Sequence, residues 1–275
     1  MNLWLFDGAL LFYLLAFLCW STSALKGTGK AAALGKAFLA TGFALQFAGM
    51  VVRWWESHQL GYGYLPLSNM YESLVFFSWS TVFLYYCLNK RYRYEAFGLV
   101  ASGLGAALLA TPLVLGISRR IKPLVPALQS NWLAIHVITC FFGYAAFAFA
   151  FALSLAYLIQ RREEERDGGV KWLPSSAIIE DGTYRMVLVG FVFLTLGIIT
   201  GAAWAYYAWG SYWSWDPKET WSLITWFIYA GWLHAHLMRG WRGRKTAILS
   251  IVGFAAVIFT YFGVNYLLSG LHSYV

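Results

Sequence analysis

The 275-residue chain is short of charge: Asp, Glu, Lys and Arg make up 12% of it, about half of the roughly 25% found in soluble globular domains. With 60% hydrophobic residues and a mean hydropathy of +0.59, an ordinary soluble domain is excluded and a polytopic membrane protein is indicated. Cysteine is also scarce. Cys19, Cys87 and Cys140 each stand alone in an apolar run, and no C-x-x-C occurs. That argues against a disulfide framework, a thiol-disulfide relay and a covalently held c-type heme on this chain. A net charge of +8 could suggest nucleic acid, but the basic residues lie between apolar runs, so the expectation is no nucleic acid. The longest polar gap is 161–185, too short for a soluble domain, and 1–275 reads as a single integral membrane domain.

Long apolar runs are abundant. A spanning helix needs about 20 mostly apolar residues. Eight runs qualify, at roughly 4–25, 33–52, 70–89, 95–116, 132–160, 186–208, 220–238 and 246–269. The first lacks a basic leader and reads as a retained span, not a cleaved signal. The expected fold is all-α, with about eight transmembrane helices. Fifteen of the 20 Lys and Arg residues fall around the odd-numbered gaps, which places those gaps in the cytoplasm and both termini on the outer side. Arg119, Arg120 and Lys122 run against that rule.

The same topology puts WGSYWSWDPKETW, residues 209–221, outside between spans 6 and 7. Four tryptophans, a tyrosine and an Asp-Pro pair in thirteen residues are too polar to span and too aromatic for a solvent loop. Interfacial belts also use Trp and Tyr, but they scatter them over many helix ends. Asp216, ahead of Pro217, suits the cap of the following helix. Asp216 and Glu219 are also the loop's possible acid–base groups.

Five histidines are present. His136 lies about one turn inside the outer end of span 5, and His272 just beyond the outer end of span 8, so both sit level with the tryptophan run. His234 lies deep in span 7 toward the cytoplasm, His236 is deeper still, and His58 is in an outer gap. Two imidazoles converging beside an aromatic surface make a bis-axial site for heme iron, with tryptophans against the porphyrin face and Lys218 available to a propionate. A lone interfacial histidine is also often a hydrogen-bonded structural group, and packing or a proton path suits His234 equally well. No span carries two histidines two heme layers apart, as membrane b-type cytochromes do. His234 and His236, two apart, face different ways.

These residues carry a resemblance. WGSYWSWDPKETW looks like the WWD signature of heme-handling proteins of cytochrome c assembly, and its DPKETW ending resembles the CcsA (ResC) type of System II. PLSNMYESLVFFSW (66–79), PALQSNWLAIHV (126–137), DGTYRMVLVGFVFLTLGIITGAAWA (181–205) and FTYFGVNYLLSGLHSY (259–274) are similar to further stretches of that family. The resemblance implies that His136 and His272 are the two external heme ligands and that His234 is a transmembrane ligand, with His236 as a competing assignment. It implies that Trp209, Gly210, Tyr212, Trp213, Trp215, Asp216, Lys218 and Trp221 form the heme-handling loop. It also implies a separate CcsB/ResB-type membrane partner that supplies the other transmembrane ligand.

The activity implied is that of the heme-handling subunit of a cytochrome c synthase (heme lyase) complex. Heme b, as cargo, would move outward, and the two thiols of the C-x-x-C-H of apocytochrome c would add across its vinyl groups. No catalytic residue of this chain is implied beyond orientation. The membrane, with its lipid, would be the bacterial cytoplasmic membrane or a thylakoid. Two rival readings are a heme exporter or chaperone with no part in attachment, and an assembly or lipid-handling protein whose aromatics form a belt.

Overall fold

The computed structural model describes residues 1–125, 128–268 and Gly270. Among the described residues the regular structure is helical, and each of the eight apolar runs maps onto one long helix. These are α1 (Asn2–Lys26), α2 (Gly29–Gln59), α3 (Met70–Tyr92), α4 (Glu95–Val114), α5 (Asn131–Asp167), α6 (Ser176–Trp209), α7 (Pro217–Met238) and α8 (Arg244–Leu267). The polar stretch 161–185 is mostly helical rather than a gap, because α5 continues to Asp167 and α6 starts at Ser176.

Among the described residues six helices, α1, α2, α4, α5, α6 and α8, are long and apolar enough to cross a membrane. α3 and α7 have the length, but Ser, Thr, Tyr, Trp and His dilute their apolar character. For α3 the reason is burial: most of its residues from Tyr71 to Leu88 are covered by protein, so some of its polar side chains bond inside the protein instead of facing lipid. Ser78 Oγ, for example, donates to the Gly105 carbonyl at 2.9 Å.

The chain forms two compact units, one holding α1–α4 and one holding α5–α8. In the first, α1 packs on α2 and α4, and α3 packs on α4. Trp20 of α1 lies against Gly35 of α2 and Gly98 of α4, where an added Cβ would come within 3.0 and 2.6 Å of the indole. Small residues of this kind let membrane helices approach closely. One end of the unit is tied by a buried ion pair, Arg53 Nε to Glu72 Oε1 at 2.9 Å. Its other valences are filled. Arg53 donates to the carbonyls of Arg119 and Arg120, and Glu72 Oε2 accepts from the Ser68 backbone and hydroxyl.

In the second unit, α5 and α6 run antiparallel, α8 packs on α5 and α7, and α7 also meets α6. α7 is pinned by Tyr229, stacked on Phe147 of α5, and by indole bonds from Trp226 to Thr195 and from Trp232 to the Thr246 carbonyl, both at 2.8 Å. Helix ends follow local chemistry. Ser130 caps α5 by accepting from the Trp132 N–H, and Gly210 ends α6 in the left-handed region at φ 79°. α8 carries a π-turn, Phe259–Gly263, which shifts its register by one residue before the chain leaves toward Gly270.

Candidate functional site

The first turns of α5, the last turns of α6 and the start of α7 meet at one end of the second unit. His136 points from α5 onto α6. Its Nδ1 is 2.8 Å from the Gly197 carbonyl oxygen and 3.6 Å from Cys140 Sγ. A carbonyl only accepts, so Nδ1 carries the proton, and the lone pair of the neutral ring is on Nε2. Metal-binding histidines are commonly held this way, through the other ring nitrogen. The ring lies parallel to Trp204, with centroids 5.9 Å apart and planes at 11°. Trp204 is 2% exposed, and Trp209, the last residue of α6, meets it edge-on at 4.7 Å.

The loop is organised by its own carboxylates. Asp216 Oδ1 accepts the Lys218 N–H at 2.9 Å, while Glu219 Oε2 accepts from the Asp216 N–H at 3.1 Å, completing a capping box. Glu219 Oε2 also takes the Ser214 N–H at 2.8 Å. Both side chains are buried. With Asp216 Oδ1 and Glu219 Oε2 engaged by backbone donors, structural capping accounts for them better than proton transfer does. Trp215 adopts φ 59°, an uncommon left-handed conformation for a large side chain. It is 69% exposed and meets Trp213 edge-on at 5.7 Å. Tyr212, also exposed, stacks on Tyr206 at 4.5 Å. Trp221 instead turns inward onto Phe259 at 4.2 Å and serves packing between α7 and α8.

Lys218 lies in the first turn of α7, ahead of the apolar run 220–238. Burial pushes its ammonium down to about 8, against the opposing pull of Asp216 and the Cys140 thiol. Cys140 is the residue beside His136, so Lys218 belongs electrostatically to the same locality. His272 lies outside the described residues. Two positions before it, however, Gly270 abuts the loop, where an added Cβ would run into the Asp216 carboxylate and come within 3.1 Å of Pro217.

His234 is not part of this cluster. It sits seventeen residues beyond Pro217 on α7, about 25 Å along the axis at 1.5 Å per residue, and it is exposed. His236 faces the other way. It is 6% exposed and lies parallel to Tyr184 and Trp232 at 4.7 and 4.9 Å, a packing position. His58 Nδ1 donates locally to the Trp54 carbonyl at 2.9 Å, in the first unit. The residues that sequence reading missed are Trp204, Gly197 and Gly201. A trace was present in the spacing Gly190, Gly197, Gly201, a small-residue face on one helix, with Trp204 one turn further on.

Among the described residues the chain is helical with membrane-length helices, and a histidine clamped through Nδ1 stands beside an aromatic loop. The chain belongs to the cytochrome c assembly protein family, whose sequence model matches residues 67–272. Among curated relatives, the cytochrome c biogenesis protein CcsA of Parasynechococcus marenigrum (strain WH8102) is 38% identical over 97% of this chain and 94% of its own length. CcsA of Chlamydomonas reinhardtii is 43% identical over 82% of this chain and 64% of its own. Among solved structures, the cytochrome c heme lyase CcmF superposes with a TM-score of 0.73 at 21% identity. The match covers 98% of this chain and 47% of that one, a likeness of fold.

Proposed function

We propose that this chain is the heme-handling subunit of a System II cytochrome c synthase. It binds heme b as cargo at the α5–α6–α7 end and presents it on the outer face of the membrane to the C-x-x-C-H of apocytochrome c. The observation that carries the reading is the His136 clamp. Nδ1–H on the Gly197 carbonyl leaves Nε2 as the ligating atom, and Trp204 and Trp209 stand beside it as an apolar aromatic wall. The position of Gly270 against Asp216 favours His272 as the opposite axial ligand, because only Leu271 separates them. Lys218 offers a half-buried ammonium to a propionate. The loop face of exposed Tyr212 and Trp215, with half-buried Trp213, suits the porphyrin edge or the incoming apoprotein.

The charge bias of the gaps supports an outer location for this end. His234, exposed on α7, suits a second, deeper site completed by a ligand from a CcsB/ResB-type partner. CcsA relatives from Synechococcus strains and from Chlamydomonas make the bacterial cytoplasmic membrane or the thylakoid the expected location. This chain contributes orientation: it holds the iron axially, excludes water with aromatic side chains and sets the ring edge facing the thiols.

Reconstitution of the chain with its partner, heme and a C-x-x-C-H peptide tests the proposal. Thioether product that depends on His136 supports it. Heme movement across the membrane without product would overturn it in favour of an exporter, and absence of any heme absorbance would favour a scaffold.

A further inference from the structure

The face of α6 that receives α5 follows one antiparallel register. Gly201 lies opposite His136, Gly197 opposite Cys140 and Gly190 opposite Phe147, and an added Cβ would come within 2.7, 2.6 and 2.5 Å of those side chains respectively. Contacts this short cannot be absorbed without movement. At Gly201 the atoms met are Cε1 and Nδ1 of the imidazole, both at 2.7 Å, which is the edge that carries the bond to Gly197.

We infer that Gly201 and Gly197 are positioning residues for the axial imidazole: Gly201 provides the slot that lets the ring lie on the α6 backbone, and Gly197 provides the carbonyl that selects the Nδ1–H tautomer. The inference rests on the reading of His136 as a heme ligand and deepens it. Carbon atoms prefer separations of about 3.5 Å or more, so a methyl group at position 201 displaces the ring by about 0.8 Å. A displacement of that size along the bond takes the 2.8 Å Nδ1···O contact to about the 3.6 Å at which it is no longer a hydrogen bond. Trp204, buried, lies parallel to the ring with centroids 5.9 Å apart, and Cys140 Sγ lies 3.6 Å from Nδ1, so both neighbour any shift of the ring. Loss of the bond frees the ring to rotate and to place its proton on Nε2, the atom needed for iron. Supporting hydrogen bonds of this kind are worth about 10–100-fold in metal-site affinity or activity.

The test uses the purified full chain titrated with heme, followed by the Soret band and by the spin state of the iron. Gly201→Ala is expected to weaken heme retention about 10–100-fold and to raise the high-spin fraction. Gly190→Ala, a comparable clash on the same helix face far from His136, should lower thermal stability and leave the spin state unchanged.

Since Gly201→Ala can also impair folding, the deciding comparison removes the clash. In His136→Gly, free imidazole should restore the wild-type spectrum. In His136→Gly/Gly201→Ala it should need at least about ten times the imidazole, because the methyl group occupies the slot. Equal restoration in the two backgrounds, or a Gly201→Ala spectrum and affinity equal to wild type, overturns the inference while leaving the ligand reading intact. Full heme retention with an unchanged spectrum in His136→Gly overturns the ligand reading and the inference together.

Discussion

His136 Nδ1 and the Gly197 carbonyl oxygen meet at 2.8 Å across 61 residues of chain. The contact joins the first turns of α5 to the last turns of α6, and it puts the ring proton on Nδ1. The proposed outer site depends on that choice, because iron binds the nitrogen that carries no proton and Nδ1 is turned onto the carbonyl.

Replacing His136 by Ala should lower heme content by at least about tenfold, the lower range for losing even a supporting group at a metal site. Free imidazole should recover it. Absorbance of the purified protein, before and after imidazole, checks this; unchanged heme content would remove His136 from the site.

The two tryptophan environments should separate in mutagenesis. Trp204 is 2% exposed, so Trp204→Ala should destabilise the protein by about 3–5 kcal/mol and also loosen the His136 ring. Trp215 is 69% exposed, so Trp215→Ala should change stability by no more than about 0.5 kcal/mol while lowering heme retention or product yield. Thermal unfolding in detergent beside heme titration resolves the two patterns. A stable Trp204→Ala protein would contradict the packing described.

Asp216 is a helix cap first. Asp216→Ala should cost about 0.5–2 kcal/mol, and Asp216→Asn much less, because the amide oxygen can still accept the Lys218 N–H. If Asp216→Asn abolished maturation at unchanged stability, a charge-dependent role would have to replace the capping role.

Lys218 gives two pH dependences of opposite sign. Its ammonium titrates near 8 when folded against 10.5 ordinarily. Between those values the unfolded chain holds a proton that the folded chain has released, so stability should rise with pH across that window. Binding of a carboxylate should go the other way, full below about pH 8 and weakening above it as the ammonium deprotonates. Lys218→Met should lack both trends. Chemical unfolding and heme titration from pH 7 to 10 make the comparison.

In the first unit, the Arg53–Glu72 pair is 2% and 1% exposed. Glu72→Ala should therefore cost about 3–5 kcal/mol by stranding a buried guanidinium, and Arg53→Met/Glu72→Leu should recover most of it. A double variant no better than the single would show that the carbonyl contacts of Arg53, rather than its charge pairing, hold the segment around Arg119.

Much was determined by sequence alone. Apolar runs of membrane length specify helices because an unpaired backbone is too costly in hydrocarbon, so all eight helices were legible from hydropathy; the Asp216 cap was legible from the Asp-Pro pair and the loop from its tryptophan density, whereas the part of Glu219 in the cap was not. His136 was legible as a ligand candidate through its level in the membrane. What only the tertiary structure decided was how that histidine is held. Gly197, Gly201 and Trp204 read as ordinary apolar helix residues until α5 and α6 meet in one register. A slot is the absence of a side chain opposite a ring, and which glycine faces which ring depends on helix pairing. The faces of α7 were settled in the same way. His234 and His236 are two residues apart in the chain, but only packing against Tyr184 and Trp232 shows that His236 is buried and His234 is exposed.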